Sequence, residues 1–434
     1  MNPDAPAPDH PIATANTAPV RSFSTTPDTH GAAGLEVPVR EHLAALVAIG
    51  ERPTGSPSSR RAEAYIERAL GGAGCRVERQ AFPCTDWRVE RASFRCGDDD
   101  LPVVANPYSP PCDIRSGVAP AGTTEELGAL DAAGRIVVLH GELTAAPWMP
   151  KEFPFYTDEE ARARALLVES KRPAAVVAVS PRTDHAVPVI IDGEFPIPSC
   201  TVTAETGALL LSHPDTVVEL VLETAAEPAR AANVIGRLGG DGPRLVLTAH
   251  LDTKHHTPGA LDNATGLAVM LALADHLAAD PPCALEFVAF NGEEHHGAPG
   301  ELAYIAAGRL DPGAIGLAIN LDGIGLGGCP ASLALFSCPP ALEAVAREIL
   351  AASPDLVRVD PWPAGDHMIF CMQGVPSMAV SSATSAGVIE AVIHTPTDTL
   401  DRVDALLVAR TASAIEALVR GAARSLGLSA PGSS

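Results

Sequence analysis

The chain reads as an α/β fold: a mixed, mostly parallel twisted sheet flanked by helices, with a smaller β-rich inserted domain. Three features lead there. Apolar strand-like runs at residues 245–249, 285–290, 316–320 and 378–382 alternate with helical stretches at 264–277, 300–307, 341–352 and 405–426. Between about residues 101 and 225 the texture changes to short β-like runs separated by proline-rich loops. Finally, 434 residues exceed one average domain and suffice for a large buried core.

Residues 1–34 are rich in Pro, Ala, Thr and Asp without periodicity and are expected to form a disordered leader. From Glu36, the residues Val39, Leu43, Leu46 and Val47 recur at helical spacing and stop before Gly50. A turn follows at Arg52-Pro53-Thr54-Gly55-Ser56-Pro57. A second helix over residues 59–70 shows Ala62, Tyr65, Ile66 and Ala69 on one face and ends at Gly71-Gly72. Residues 75–82 are strand-like. Within the insert, β-like runs are expected at 135–140, 174–180, 187–191 and 217–222, with one helix at 159–170. A last strand-like piece lies near Ile393, ahead of the amphipathic helix 405–426. No internal repeat is evident.

Composition narrows the possible functions. Asp+Glu number 53 against Lys+Arg 30, a net charge of −23. Such a surface repels phosphate backbones, so neither nucleic acid nor an anionic membrane is an expected partner. The first residues have neither the basic nor the apolar part of a signal peptide, and no stretch approaches 18 uninterrupted apolar residues. Nine cysteines, an odd number without CxxC spacing, read as reduced structural thiols. A cytoplasmic location is the expectation that fits these features. Oligomeric state is not legible in the sequence.

Chemistry concentrates at five places: His250 with Asp252, Asp262, Glu293-Glu294, Asp322 and His394. All but the last follow a strand-like run or the turn after it. In an open α/β sheet, ligands bind outside the carboxyl ends of strands, so these groups are expected to converge in one crevice. Several uncompensated acids gathered there would repel and raise one another's pKa; cations remove that problem. Imidazole and carboxylate oxygen suit zinc. Two ions roughly 3.5–4 Å apart would stabilise a bridging hydroxide and a developing oxyanion. The expected assignment has Asp262 bridging two Zn2+, with His250 and Asp322 on one ion and Glu294 and His394 on the other. Glu293, beside a ligand, would be the general base. Asp252 would hold the other nitrogen of the His250 imidazole. Asp262 is also placed to cap the helix beginning near Ala264.

At these residues the chain resembles family M28 of zinc aminopeptidases and carboxypeptidases. The resemblance lies in His250-Leu251-Asp252-Thr253 with Pro258-Gly259-Ala260-Leu261-Asp262-Asn263-Ala264-Thr265-Gly266, in Phe290-Asn291-Gly292-Glu293-Glu294 with Gly297, in Asn320-Leu321-Asp322, and in His394-Thr395-Pro396-Thr397-Asp398-Thr399. It covers residues 233–426, and Arg52-Pro53-Thr54-Gly55-Ser56 is similar to the family's N-terminal entry. It implies a zinc-peptidase catalytic domain over residues 35–100 and 226–430, interrupted by the insert at 101–225. Gly134–Gly141 and Ile197–Leu211 make the insert resemble a protease-associated domain. The implied activity is hydrolysis of terminal amide bonds of peptides or peptide-like small molecules, with aminopeptidase expected first. A carboxypeptidase, an N-acyl amidohydrolase or an inert binding protein of the same fold are the alternatives.

Two departures stand out. The family's tyrosine before the last histidine is Ile393 here, and its serine after the Glu-Glu turn is Glu301. Asp366-His367 resembles a segment near the family's active-site mouth and reads either as a substrate contact or as a turn. His255 and His256 read as exposed loop residues first and as pocket-lining residues second, and Cys329 and Cys338 as buried hydrophobes. Trp148 and Trp362 belong to a substrate wall or to packing. Among rivals, an M20-type enzyme places its bridging Asp much farther from the first histidine. A one-zinc glutaminyl-cyclase-like transferase would lack part of the second ligand set. An aminopeptidase needs an acid for the substrate's α-ammonium and a carboxypeptidase needs a cation for the carboxylate; Asp366, Glu301 and Arg347 are the available groups.

Overall fold

The computed structural model describes residues 33–182, 185–214, 216–384 and 387–429. The expected leader lies, up to residue 32, outside the described residues, and Ala33 and Gly34 already belong to the first helix. Helices α1 (Ala33–Val47) and α2 (Pro57–Gly72) come first. Ser56 Oγ caps α2 by accepting the Ser59 amide, and Pro57 stands at its first turn, where no amide is needed. Strand β1 (Arg76–Cys96) then runs for 21 residues, well past the eight that the sequence marks as strand-like.

The inserted layer holds β2 (Asp99–Leu101), β3 (Val103–Ala105), β4 (Cys112–Ala121), α3 (Thr124–Ala129), β5 (Ile136–Leu139), α4 (Glu159–Lys171), β6 (Ala175–Val179), β7 (Ser199–Val202) and α5 (Ala204–Ser212). β4, β5, β6 and β7 pair in parallel and β3 adds antiparallel. The chain returns through β8 (Val217–Leu238), which pairs with β1 along its whole length. This ribbon joins the two layers, so the expected insert limits at 101 and 225 fall beside or within paired strands and not in linkers. Residues 187–191, expected as a strand, contribute a single bridge from Ile190 to Trp148.

The main sheet follows with β9 (Arg244–His250), α6 (Thr265–Ala278), β10 (Ala284–Phe290), α7 (Pro299–Ala306), β11 (Ile315–Leu321), β12 (Ala331–Phe336), α8 (Pro340–Ala352), β13 (Leu356–Arg358), α9 (His367–Met372), β14 (Ser377–Ser382) and α10 (Ala405–Ser425). Its order is β13-β12-β14-β11-β9-β10-β8, with β14, β11, β9 and β10 parallel, β12 antiparallel to β14 but parallel to β13, and β8 antiparallel to β10. The expected α/β class, a mixed and mostly parallel sheet flanked by helices, is the one observed. Helices α1, α2, α6, α8 and α10 cover one face and α7 and α9 the other. α6 is apolar all round because it is buried all round: Leu267 to Ala274 are each at most 2% exposed. Ile393 lies in a turn and not in a strand. Among the described residues no helix is long and apolar enough to cross a membrane.

Candidate active site

Strand register explains why distant residues meet. His250 ends β9 directly opposite Phe290, the end of β10, and Thr248 of β9 pairs with Asn320 of β11. Glu293 and Glu294 therefore follow one strand end and Asp322 the next, all at the same edge. The turn before Glu293 needs Gly292, whose φ of 112° a side chain would strain. Asn291 pins it: the backbone amide donates to Asn233 Oδ1 at 3.0 Å, and Nδ2 donates to Ser59 Oγ at 2.9 Å and Glu63 Oε1 at 2.8 Å in α2.

The donor atoms converge. His250 Nε2 lies 2.9 Å from Asp262 Oδ1 and 3.4 Å from Asp322 Oδ1. His394 Nε2 lies 3.0 Å from Asp262 Oδ2 and 2.8 Å from Glu294 Oε1. Asp262 thus offers one oxygen to each histidine. Two groups, His250–Asp262–Asp322 and Asp262–Glu294–His394, have their ligand atoms within 4.8 Å of one another, and Glu293 joins His250 and Glu294 in a third. Imidazole nitrogen and carboxylate oxygen, two donors of the first kind and three of the second, are a set that fits zinc. His250 Nδ1 donates to the carbonyl oxygen of Asp252 at 3.1 Å, which turns Nε2 toward the acids.

The second-nitrogen contact differs from expectation. The Asp252 carboxylate Oδ1 stands 3.9 Å from Nδ1 and makes no hydrogen bond, while Oδ2 accepts Thr54 Oγ1 at 2.8 Å and the Glu294 amide at 3.1 Å. Asp252 holds His250 through its backbone and Glu294 through its side chain. The helix cap also moves by one: Asn263 Oδ1 accepts the Gly266 amide at 3.0 Å, which leaves the Asp262 carboxylate to the site.

Three supports carry little signal in the sequence. Arg52, fully buried, donates to the carbonyls of Gly50, Leu251, Pro258 and Gly259 at 2.8–3.1 Å and so ties the loop between His250 and Asp262 to the N-terminal turn. Asp398 accepts the amides of Leu261 and Asp262 at 2.6 and 3.1 Å; burial, with repulsion from Asp262, pushes its carboxyl up to about 7. Lys254 Nζ lies 2.6 Å from Glu294 Oε2 and 3.0 Å from its carbonyl oxygen. Arg52 and Asp398 stand inside matched motifs, which was the only sign of either.

A cleft of about 1150 Å³ opens over the site. The inserted layer roofs it with Met149, Phe153, Phe155, Tyr156 and Ile191, facing Trp362, Met368, Met372 and Ile393. Lys254 is the only lysine or arginine among the lining residues, and Arg347 lies exposed on α8. Trp362 is a wall residue, whereas Trp148 is packed in the insert's core. His255, expected to be exposed, lines the cleft with its ring 4.9 Å from that of Trp87 and 5.7 Å from that of Tyr108. His256 is half-buried. Cys329 and Cys338 are half-buried beside apolar clusters.

Beside the site, the acids Glu293, Glu301 and Asp366 repel one another. Burial, then Glu294, holds Glu293 well above the usual carboxylate range. Burial, then Asp366 and Glu293, does the same to Glu301. Burial pushes Asp366 up to about 8, and neither of its oxygens has a hydrogen-bond partner; nor does Glu301 Oε2. His367 belongs to α9 and packs against Trp362 and Phe336, while Asp366, 1% exposed just behind the cleft-lining Gly365, feels the charges of His250 and Asp322.

Residues 233–419 match the model of peptidase family M28. The "Probable lipoprotein aminopeptidase LpqL" of Mycobacterium tuberculosis is 25% identical over 293 residues, 63% of this chain and 55% of that protein. The chain thus matches about half the length of this curated relative. BSAP, a zinc aminopeptidase from Bacillus subtilis, aligns with a TM-score of 0.72 at 20% identity, over 88% of this chain and 94% of that one. A peptidase M28 precursor from Shewanella amazonensis SB2B reaches 0.73 at 21% identity, over 91% and 94%. The aminopeptidase from Aneurinibacillus sp. strain AM-1 reaches 0.66 at 19%, over 88% and 93%. At such identities these structures share the fold.

Proposed function

We propose that this chain, which carries a peptidase family M28 region over residues 233–419, is a two-zinc aminopeptidase. The observation that carries the reading is the bridging placement of Asp262: each of its oxygens faces a different histidine, and each histidine faces a further acid. His250, Asp262 and Asp322 would hold one zinc, and Asp262, Glu294 and His394 the other. Bound there, zinc would supply Lewis-acid polarisation of the scissile carbonyl and lower the pKa of water.

The chain's own residues do the rest. Glu293 stands beside the donor set, grouped with His250 and Glu294 but outside the two sets that share Asp262; it takes the proton of the attacking water and returns it to the leaving amine. Lys254 keeps Glu294 Oε2 engaged, so Oε1 alone turns toward His394. Glu301 and Asp366 favour aminopeptidase over carboxypeptidase. Buried acids that repel one another are relieved by a cation, and a substrate's α-ammonium is one. A substrate carboxylate would find only Lys254 among lysines and arginines of the cleft wall, and that ammonium is already paired.

The test is release of p-nitroaniline from aminoacyl-p-nitroanilides and from their N-acetylated counterparts, with and without phenanthroline, alongside zinc counted per chain. Phenanthroline-sensitive release from the free-amine substrates only, with two zincs per chain, is expected. Equal cleavage of the acetylated substrates would overturn the aminopeptidase reading. One zinc or none in an active chain would overturn the two-ion centre.

A further inference from the structure

His250, Glu294 and Asp322 are positioned by strand ends. His394 is not. It sits in a loop of turns, residues 387–399, with a left-handed φ of 56°, a backbone that a β-carbon-bearing residue keeps only when its surroundings impose it. Its side chain is also the most exposed of the five donors, 44% against 30% for Asp322 and 2–6% for the others.

The loop is gripped from two sides. On the inner side Val392 packs with Leu261 and Leu326, and Thr395 Oγ1 donates to the Val392 carbonyl at 2.6 Å. On the outer side Arg182 Nη1 donates to the Glu390 carbonyl at 3.1 Å and Nη2 to the Ala391 carbonyl at 3.0 Å. Arg182 comes from the inserted layer, three residues past the end of β6. Its own amide donates to Ser180 Oγ at 3.2 Å, that hydroxyl donates to the His185 carbonyl at 3.1 Å, and the Ser180 amide donates to Val202 at the end of β7 at 2.9 Å. Hydrogen bonds therefore run from the insert's sheet to a backbone carbonyl three residues before His394.

We propose that Arg182 is a positioning residue through which the inserted layer sets the His394 imidazole against Asp262 and Glu294, making tight binding of the second metal depend on how that layer is docked. The proposal rests on the reading of His394 as a ligand. A guanidinium suits the task because its planar fork reaches two successive carbonyls at once, which a lysine ammonium cannot reproduce. With the fork removed, the Glu390 carbonyl loses its link to the inserted layer and the Ala391 carbonyl keeps only the Thr397 hydroxyl at 3.4 Å, so the left-handed backbone at His394 relaxes and the ring swings away from Asp262 and Glu294. The first ion would rest on His250 and Asp322, outside this loop, and share only Asp262 with the second; Asp262 stays held by Asp398 at the loop's far end, so the first ion is spared.

The test compares the full-length wild type with Arg182→Ala and Arg182→Lys, after thermal melts have shown that all three are folded. Stepwise zinc affinities are read by competition with a chromophoric chelator, and backbone amide exchange over residues 387–394 is followed in metal-free protein. The weaker zinc step is expected to loosen about ten-fold in both variants with the tighter step unchanged, the size usual for losing a group that orients a ligand. Exchange over 387–394 should quicken, and kcat should fall with little change in KM. Two normal zinc steps and unchanged exchange in both variants would overturn the clamp alone. A wild type that binds no zinc would overturn the metal reading and the proposal with it.

Discussion

Asp262 and Glu293 separate two kinds of residue at the centre. Asp262→Ala removes the oxygen facing each histidine, so zinc per chain should fall along with activity; a count still at two would remove Asp262 from the bridging role. Glu293→Gln leaves the donor set intact, so zinc should stay while kcat drops by about 10²–10⁴, the usual worth of a positioned general base. Retained activity would take the base role from Glu293. Asp366→Asn should raise KM for free-amine substrates by more than it lowers kcat, which steady-state kinetics on aminoacyl-p-nitroanilides would show. All seven site residues singled out from the sequence lie close together, six of them because they stand in short motifs at a strand end or in the loop after it, and His394 because a loop of turns brings it there. The contact made by Asp252 was not legible: whether a carbonyl or a carboxylate meets the imidazole is a difference of rotamer and backbone path that no spacing encodes. Lys254 escaped for a related reason, since a lysine in a polar loop looks the same whether it meets water or Glu294.

Among the elements, the loop from β9 to α6 depends on one buried arginine. Arg52→Leu would leave the carbonyls of Gly50, Leu251, Pro258 and Gly259 without their donor. At about 1–3 kcal/mol for a buried unpaired group, the variant should lose at least about 3 kcal/mol in urea denaturation, and Arg52→Lys should restore little of it. The helices α6 and α10 and the strands β9, β10 and β11 were readable because periodicity and burial agree in them. The middle of β8, Thr224-Ala225-Ala226-Glu227-Pro228-Ala229-Arg230, was not. Its alanines and proline have poor strand propensity, and it is extended only because β1 pairs with it residue by residue. β4, with Gly117 and Pro120, was missed for the same cause.

The seam between the inserted layer and the main sheet gives the molecule a dependence on pH. His255 packs against Trp87 of β1 and Tyr108 after β3, and burial, then repulsion from His256 and Lys254, pushes its imidazole down to about 3. An imidazole of ordinary pKa near 6.5 in the unfolded chain binds protons that the folded one refuses. The stabilisation from its neutral form is therefore complete above about pH 6.5 and is lost as pH falls from there toward 3, at up to about 1.4 kcal/mol per pH unit. Urea midpoints should drop between pH 7 and pH 4.5, and His255→Phe should flatten that drop; an equal slope in the variant would remove His255 as a cause. The α/β class and the gathering of the candidate residues at one place could be read from the chain, because local periodicity and short motifs carry them within a few residues. The roof over the cleft, the packing of the half-buried His255, the unpartnered oxygens of Asp366 and Glu301 Oε2 and the grip of Arg182 on the His394 loop came only with the tertiary structure. Each depends on two segments some fifty or more residues apart lying against one another, and burial, pairing and pKa are properties of that contact and of neither segment alone.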